Sequence, residues 1–172
     1  MKKLLFIILT LKLAACGKTE IAGPVVYEGP LRQAEKVELY YSENEKVKVK
    51  MSADKVNEFQ SGDQEFPEGI YLEFYNEFGR LSSTLKANQA YFYKKENKWK
   101  GQGDVVVKNI EKNEQLNTEE LFWLPATKKI FTESFVTIRQ QGDVIYGQGL
   151  EALEDLSSYK IKKPTGDISV EE

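Results

Sequence analysis

Beyond residue 31 the apolar residues of this chain return at every second position, and that alternation constrains the fold more than any other feature. Lys46-Val47-Lys48-Val49-Lys50-Met51 alternates charge and hydrophobe without a break, and Ile70, Leu72 and Phe74 share one side of Ile70-Tyr71-Leu72-Glu73-Phe74. A strand sends successive side chains to opposite faces, so such segments build sheets with one face buried. Ala90-Tyr91-Phe92-Tyr93, Val105-Val106-Val107, Leu121-Phe122-Trp123, Phe135-Val136-Thr137-Ile138 and Val144-Ile145-Tyr146 continue the series. Polar turns such as Lys95-Glu96-Asn97-Lys98 and Glu111-Lys112-Asn113-Glu114 separate them. Leu150 to Leu156 alone carries a weak helical signal. Short strands at turn-marked intervals, with no long amphipathic helix to cover a parallel sheet, predict an all-β sandwich, roll or barrel.

A degenerate repeat sharpens that expectation. Met51-Ser52-Ala53, Leu85-Lys86-Ala87, Leu116-Asn117-Thr118 and Gly147-Gln148-Gly149 each open a stretch reading apolar or Gly, polar, small, two variable residues, apolar. The small residues stand at 53, 87, 118 and 149, in steps of 34, 31 and 31. A unit of that size holds two or three strands, too few to bury its own apolar face, so successive copies must stack into an antiparallel roll with open ends. The alternative is coincidence in a loose pattern.

Composition removes most chemistry. There is no histidine and one cysteine, which excludes the usual structural zinc sites, an internal disulfide, and Ser-His-Asp or Cys-His catalysis. An enzyme would need paired carboxylates at a cleft, as in glycosidases. Most of the 27 acidic residues, however, fall on the polar beat of strands or in turns, where solvation explains them. The expectation is a non-catalytic protein without cofactor or metal.

The amino terminus reads as a targeting segment. Met1-Lys2-Lys3 is a basic start, Leu4 to Leu11 an apolar run, and Leu13-Ala14-Ala15-Cys16 a small-residue site ending in cysteine. It resembles the lipobox of bacterial lipoproteins, with Lys12 as a departure. The resemblance implies cleavage before Cys16, lipidation of that residue and a membrane tether through acyl chains. The alternative is an ordinary cleaved signal that releases a soluble protein. The apolar run is far short of the ~20 residues a spanning helix needs. The chain is therefore read as a lipoprotein signal peptide over 1–15, a lipidated cysteine and linker over 16–30, and a β-domain over 31–172. Cleavage would leave 21 basic against 27 acidic residues, which offers no basic patch suited to nucleic acid.

From Leu85 to Lys160 the residues carry a family resemblance. Ala90-Tyr91, Trp99, the strand from Gly103 to Val107, Leu116-x-Thr118-x-x-Leu121-x-Trp123, Val136-x-Ile138 and above all Ile145-Tyr146-Gly147-Gln148-Gly149-Leu150-Glu151-Ala152 resemble the LptC family. Those are periplasmic proteins of the lipopolysaccharide-export ABC transporter, related in fold to the bridge-forming LptA. The resemblance implies an incomplete twisted antiparallel β-jellyroll (the OstA/LptA type) with open ends, and an apolar groove for lipid A chains. It implies as partners lipopolysaccharide, the inner-membrane export transporter and an LptA-like bridge protein. The bridge protein would add its strands at the C-terminal edge, here Tyr159, Lys160, Ile161 and Lys162, with Gly166 to Val170 as a second candidate segment. Pro164 and the acidic end Glu171-Glu172 read equally as protection against unwanted pairing. The best-known members keep a transmembrane helix where this chain has the lipobox, and the inner-membrane location follows from the resemblance alone.

Strand parity supplies the groove candidates: Val49, Met51, Leu72, Phe74, Leu85, Phe92, Val105, Val107, Leu121, Trp123, Val136 and Ile138, with Val47, Ile70 and Ala87 on the same inward beat. This uncharged set suits an acyl groove and suits a plain sandwich core equally well. On this reading Phe92, Val107 and Trp123 touch lipid and Lys48 does not. Gly101 and Gly103 share the inward beat of Trp99, Val105 and Val107; they could leave room for methylenes or mark a bulge or close backbone approach. A lipocalin-like barrel taking another apolar ligand is the competing binding architecture.

Overall fold

A computed structural model describes residues 27–140 and 142–165. The expected signal segment, Cys16, most of the linker and the segment Gly166 to Val170 lie outside the described residues. The described chain forms strands β1 (Arg32–Glu43), β2 (Lys46–Glu58), β3 (Gln64–Phe66), β4 (Ile70–Tyr75), β5 (Leu81–Ala87), β6 (Gln89–Tyr93), β7 (Lys98–Asn109), β8 (Glu114–Leu124), β9 (Lys129–Gln140), β10 (Asp143–Leu153) and β11 (Tyr159–Thr165). Among the described residues there is no α-helix, and a 3-10 turn at Pro125–Thr127 joins β8 to β9.

Every pairing is antiparallel, and the path runs β11-β10-β9-β8-β7 before it divides. The C-terminal part of β7 pairs β5, which leads through β4 to the first part of β2. Its N-terminal part pairs β6, which leads through β3 to the last part of β2. Strand β1 lies outside β2. The sheet therefore ends at two edge strands, β1 and β11. A closed lipocalin-like barrel has no such edges, so the architecture is the all-β, open-ended, jellyroll-like one.

The long strands are creased, and the crease makes one sheet into two facing halves. Lys36 in β1, Gly103 and Asp104 in β7 and Gly149 in β10 have positive φ, and the ladder registers slip beside those of β7 and β10. Irregularities of this kind bend a strand and sharpen its twist. The repeat positions mark the same line: Ala53 stands just past the part of β2 that pairs β4, Ala87 precedes the β5–β6 break, Thr118 borders the β8–β9 slip, and Gly149 is itself the β10 bulge. On one side of the crease, half-sheet I holds β3, β6 and the Trp99, Trp123 and Ile130 portions of β7, β8 and β9. On the other, half-sheet II holds β4, β5 and the Val107, Leu116 and Ile138 portions. Phe74 of half-sheet II meets Trp123 of half-sheet I edge to face at 5.3 Å between ring centroids.

The two glycines of β7 are resolved by this geometry. Gly103 sits in the crease at φ +76, and a Cβ on Gly101 would stand 3.2 Å from the Ala87 Cβ. They serve a bulge and a close approach; they do not widen the groove. Leu150 to Leu156 is not helical: Leu150 to Leu153 end β10, and a turn follows. Strand β1 is exposed along nearly its whole length, yet Val37, Leu39 and Tyr41 keep the alternation, with Val37 packed against the core and Leu39 and Tyr41 on the groove rim.

Candidate functional site

Between the half-sheets, at the β1 end of the molecule, lies a groove of about 1210 Å³, above the ~300–1,000 Å³ usual for a small-molecule site. Val49 and Met51 of β2 and Leu72 and Phe74 of β4 form one wall, and Phe92 of β6, Trp99 of β7 and Trp123 of β8 form the other. The aromatic wall is continuous: Phe92 and Trp99 lie 4.8 Å apart, Phe66 and Trp99 5.4 Å, and Trp99 and Trp123 6.1 Å. Both tryptophans of the chain face this space. The floor is buried and the rim is exposed. Leu72 and Phe74 are 3% and 4% exposed, whereas Leu39, Tyr40 and Tyr41 on the β1 rim are all more than half exposed.

The charged groups are confined to the rim, with one exception. Lys48, Arg80 and Lys128 stand there with Glu43, Glu77, Glu111 and Asp155. Lys48 therefore lines the mouth although it lies on the outward beat of β2, which corrects the expectation that it is remote from the groove. Glu154 is the exception, because the Trp123 Nε1–H donates to its Oε2 at 2.8 Å. Burial raises its carboxyl pKa above the ordinary value, and the nearby Asp155 adds to this; the Trp123 hydrogen bond and the Lys128 charge oppose it. A separate depression of about 770 Å³ over the crease is crossed by the Lys36–Asp54 ion pair and has no comparable apolar wall. Among the described residues no cluster of metal-ligating side chains is found, and no helix is long and apolar enough to cross a membrane.

The family model for lipopolysaccharide-assembly, LptC-related proteins matches residues 30–165, every strand from β1 to β11. The chain belongs to this family. No curated protein matches it significantly. LptC-related proteins are non-enzymatic components of lipopolysaccharide transport that face the periplasm.

In this LptC-related chain the groove candidates divide. Val49, Met51, Leu72, Phe74, Phe92 and Trp123 line the groove. Leu85, Val105, Val107, Leu121, Val136 and Ile138 do not; they are at most 6% exposed, in the packed core. Parity reports that a side chain points inward, not whether another faces it. Trp99, the β1 rim and Glu154 were not among the candidates. Trp99 was legible from its shared beat with Val105 and Val107, and Leu39 and Tyr41 from their alternation with Val37; Glu154 required the tertiary fold.

At the opposite edge, Tyr159 and Ile161 of β11 are partly buried, while Lys160 and Lys162 are turned outward. Lys162 pairs with Glu133 and, at 3.5 Å, with Glu151. Among the described residues β11 pairs β10 alone. The Gly147-x-Gly149 motif explains how β11 is seated. A Cβ on Gly147 would lie 2.2 Å from Ile161 Cγ2, and Gly149 holds φ +78, so a side chain at 147 displaces β11 and one at 149 strains the bulge.

Proposed function

We propose that this chain is a non-catalytic periplasmic carrier. It accepts lipopolysaccharide from the inner-membrane export ABC transporter, holds the acyl chains in the groove and passes the molecule towards the outer membrane through an LptA-like bridge protein. The continuous aromatic and aliphatic surface between the half-sheets carries this reading. Acyl chains need no bond-making for capture, since each buried methylene contributes about 0.8 kcal/mol. The buried floor implies that loading spreads the half-sheets, while the exposed rim on β1 admits the chains. Strand addition at β11, along Tyr159, Lys160, Ile161 and Lys162, is the means by which one groove extends into the next, because an edge strand offers unpaired backbone donors and acceptors.

The remainder of the chain fits the same role. Residues 1–15 act as a lipoprotein signal, lipidated Cys16 and the linker to residue 30 tether the domain to the inner membrane, and residues 31–172 carry the lipid. Mass spectrometry of the mature protein tests the tether: acylated Cys16 at the new terminus is expected, and an unmodified one removes it. For the groove, a photo-crosslinker in place of Phe92 should capture lipopolysaccharide in cells. One in place of Lys108, exposed on the outer side of β7, should not. Equal labelling at both positions contradicts the groove.

A further inference from the structure

The groove does not run the length of the molecule. It ends at Leu153, Glu154 and Asp155, where the loop between β10 and β11 crosses from one half-sheet to the other. Leu156, at the centre of that loop, is 1% exposed and sits in the core beside the groove. The loop is tied to both halves. On the side of half-sheet II, Asn109 Nδ2 donates to the Asp155 carbonyl at 2.7 Å, Ser83 Oγ to the Glu154 carbonyl at 3.4 Å and Lys112 Nζ to the Ser157 carbonyl at 3.2 Å. On the side of half-sheet I, Trp123 donates to Glu154 Oε2 at 2.8 Å and the Glu154 N–H to the Lys128 carbonyl at 3.0 Å.

We propose that this loop is a gate and Leu156 its plug, closing the path between the groove and the β11 edge until a lipid chain lifts it. The inference rests on the reading of the groove as an acyl-chain carrier. Beyond the loop the interior is filled by Leu116, Ile138 and Leu150, all at most 1% exposed, so a chain advancing from the groove meets no open space unless the loop moves. The loop is suited to moving. It is held by a few hydrogen bonds and one apolar side chain, not by a strand ladder, and segments so held open at a lower free energy than the sheet around them. Leu156 adds strain, because it holds φ +56, a conformation that a side chain with a Cβ adopts at a cost.

Leu156→Gly tests the gate, since glycine accepts that backbone conformation and removes only the plug. The full-length chain, carrying p-benzoylphenylalanine in place of Phe92 or of Tyr159, is irradiated in bacteria that make lipopolysaccharide. Phe92 should label equally with and without Leu156→Gly, and labelling from Tyr159 should rise several-fold in the variant. Asn109→Ala, which cuts one tie and keeps Leu156, should shift Tyr159 labelling in the same direction and serves if Leu156→Gly does not accumulate. Unchanged Tyr159 labelling in both variants, with Phe92 still labelled, overturns the gate and leaves the groove standing. Absence of labelling at Phe92 overturns the carrier reading and the gate with it.

Discussion

The two ends of the trough are built from the same alternating strands yet differ in what their inner faces meet. At the β8–β10 end, Leu116, Ile130, Val136, Ile138 and Leu150 face one another with at most 1% of their surface exposed, and Leu156 closes the mouth. At the β1 end, Phe92, Trp99 and Trp123 face Val49, Met51, Leu72 and Phe74 across an open rim. The same alternation makes a core where the half-sheets are capped and a groove where they are not. The loop after β10 and the exposed β1 strand decide which, and the side chains change with them, from aliphatic at the packed end to largely aromatic at the groove.

The contrast can be broken most forcefully at the packed end. Ile138→Ala should cost about 2–5 kcal/mol, as buried aliphatic truncations do, and urea unfolding should show the loss while lipopolysaccharide capture from Phe92 persists. Gly147→Ala should cost about 1–3 kcal/mol through overpacking against Ile161, with hydrogen exchange rising first in the amides of β11. At the groove end, Phe92→Ala should cost only about 1–2 kcal/mol, since its side chain is partly solvated in the free protein, but should lower lipopolysaccharide capture. A loss as large as that of Ile138→Ala would mean that the two ends are packed alike.

The smallest effect concerns Glu154. Burial raises its folded pKa, so the native state holds the carboxyl proton more tightly than the unfolded chain does. The group's contribution to stability is therefore greatest below the ordinary glutamate pKa. It falls as pH rises from there to the elevated folded value and is level above it. Glu154→Gln should remove that slope while keeping an acceptor for Trp123, so the thermal midpoints of variant and parent should separate, in favour of the variant, across that interval. Parallel curves would mean that Glu154 is as solvated as a surface residue.

Alternation from Lys46 to Met51 and from Ile70 to Phe74 was enough to identify sheets, and the spacing of Ala53, Ala87, Thr118 and Gly149 marked the line where they crease. That much is local: each side chain records which face of its own strand it occupies. What alternation could not record is the opposing surface. Val107 and Phe92 share the inward face, yet Val107 is enclosed by the facing half-sheet and Phe92 borders open space. Strand β1 keeps the alternation in Val37, Leu39 and Tyr41 while almost none of its side chains is buried, and Leu156, inward from a turn, follows no period at all.

The most direct test of the carrier account uses the two tryptophans, since both stand on the groove wall. Purified full-length protein titrated with lipopolysaccharide should show a saturable change in tryptophan emission, and the delipidated saccharide should show none. An emission spectrum that stays constant through the titration, or one that responds equally to the saccharide without its acyl chains, would contradict the claim that the space beside Trp99 and Trp123 holds hydrocarbon.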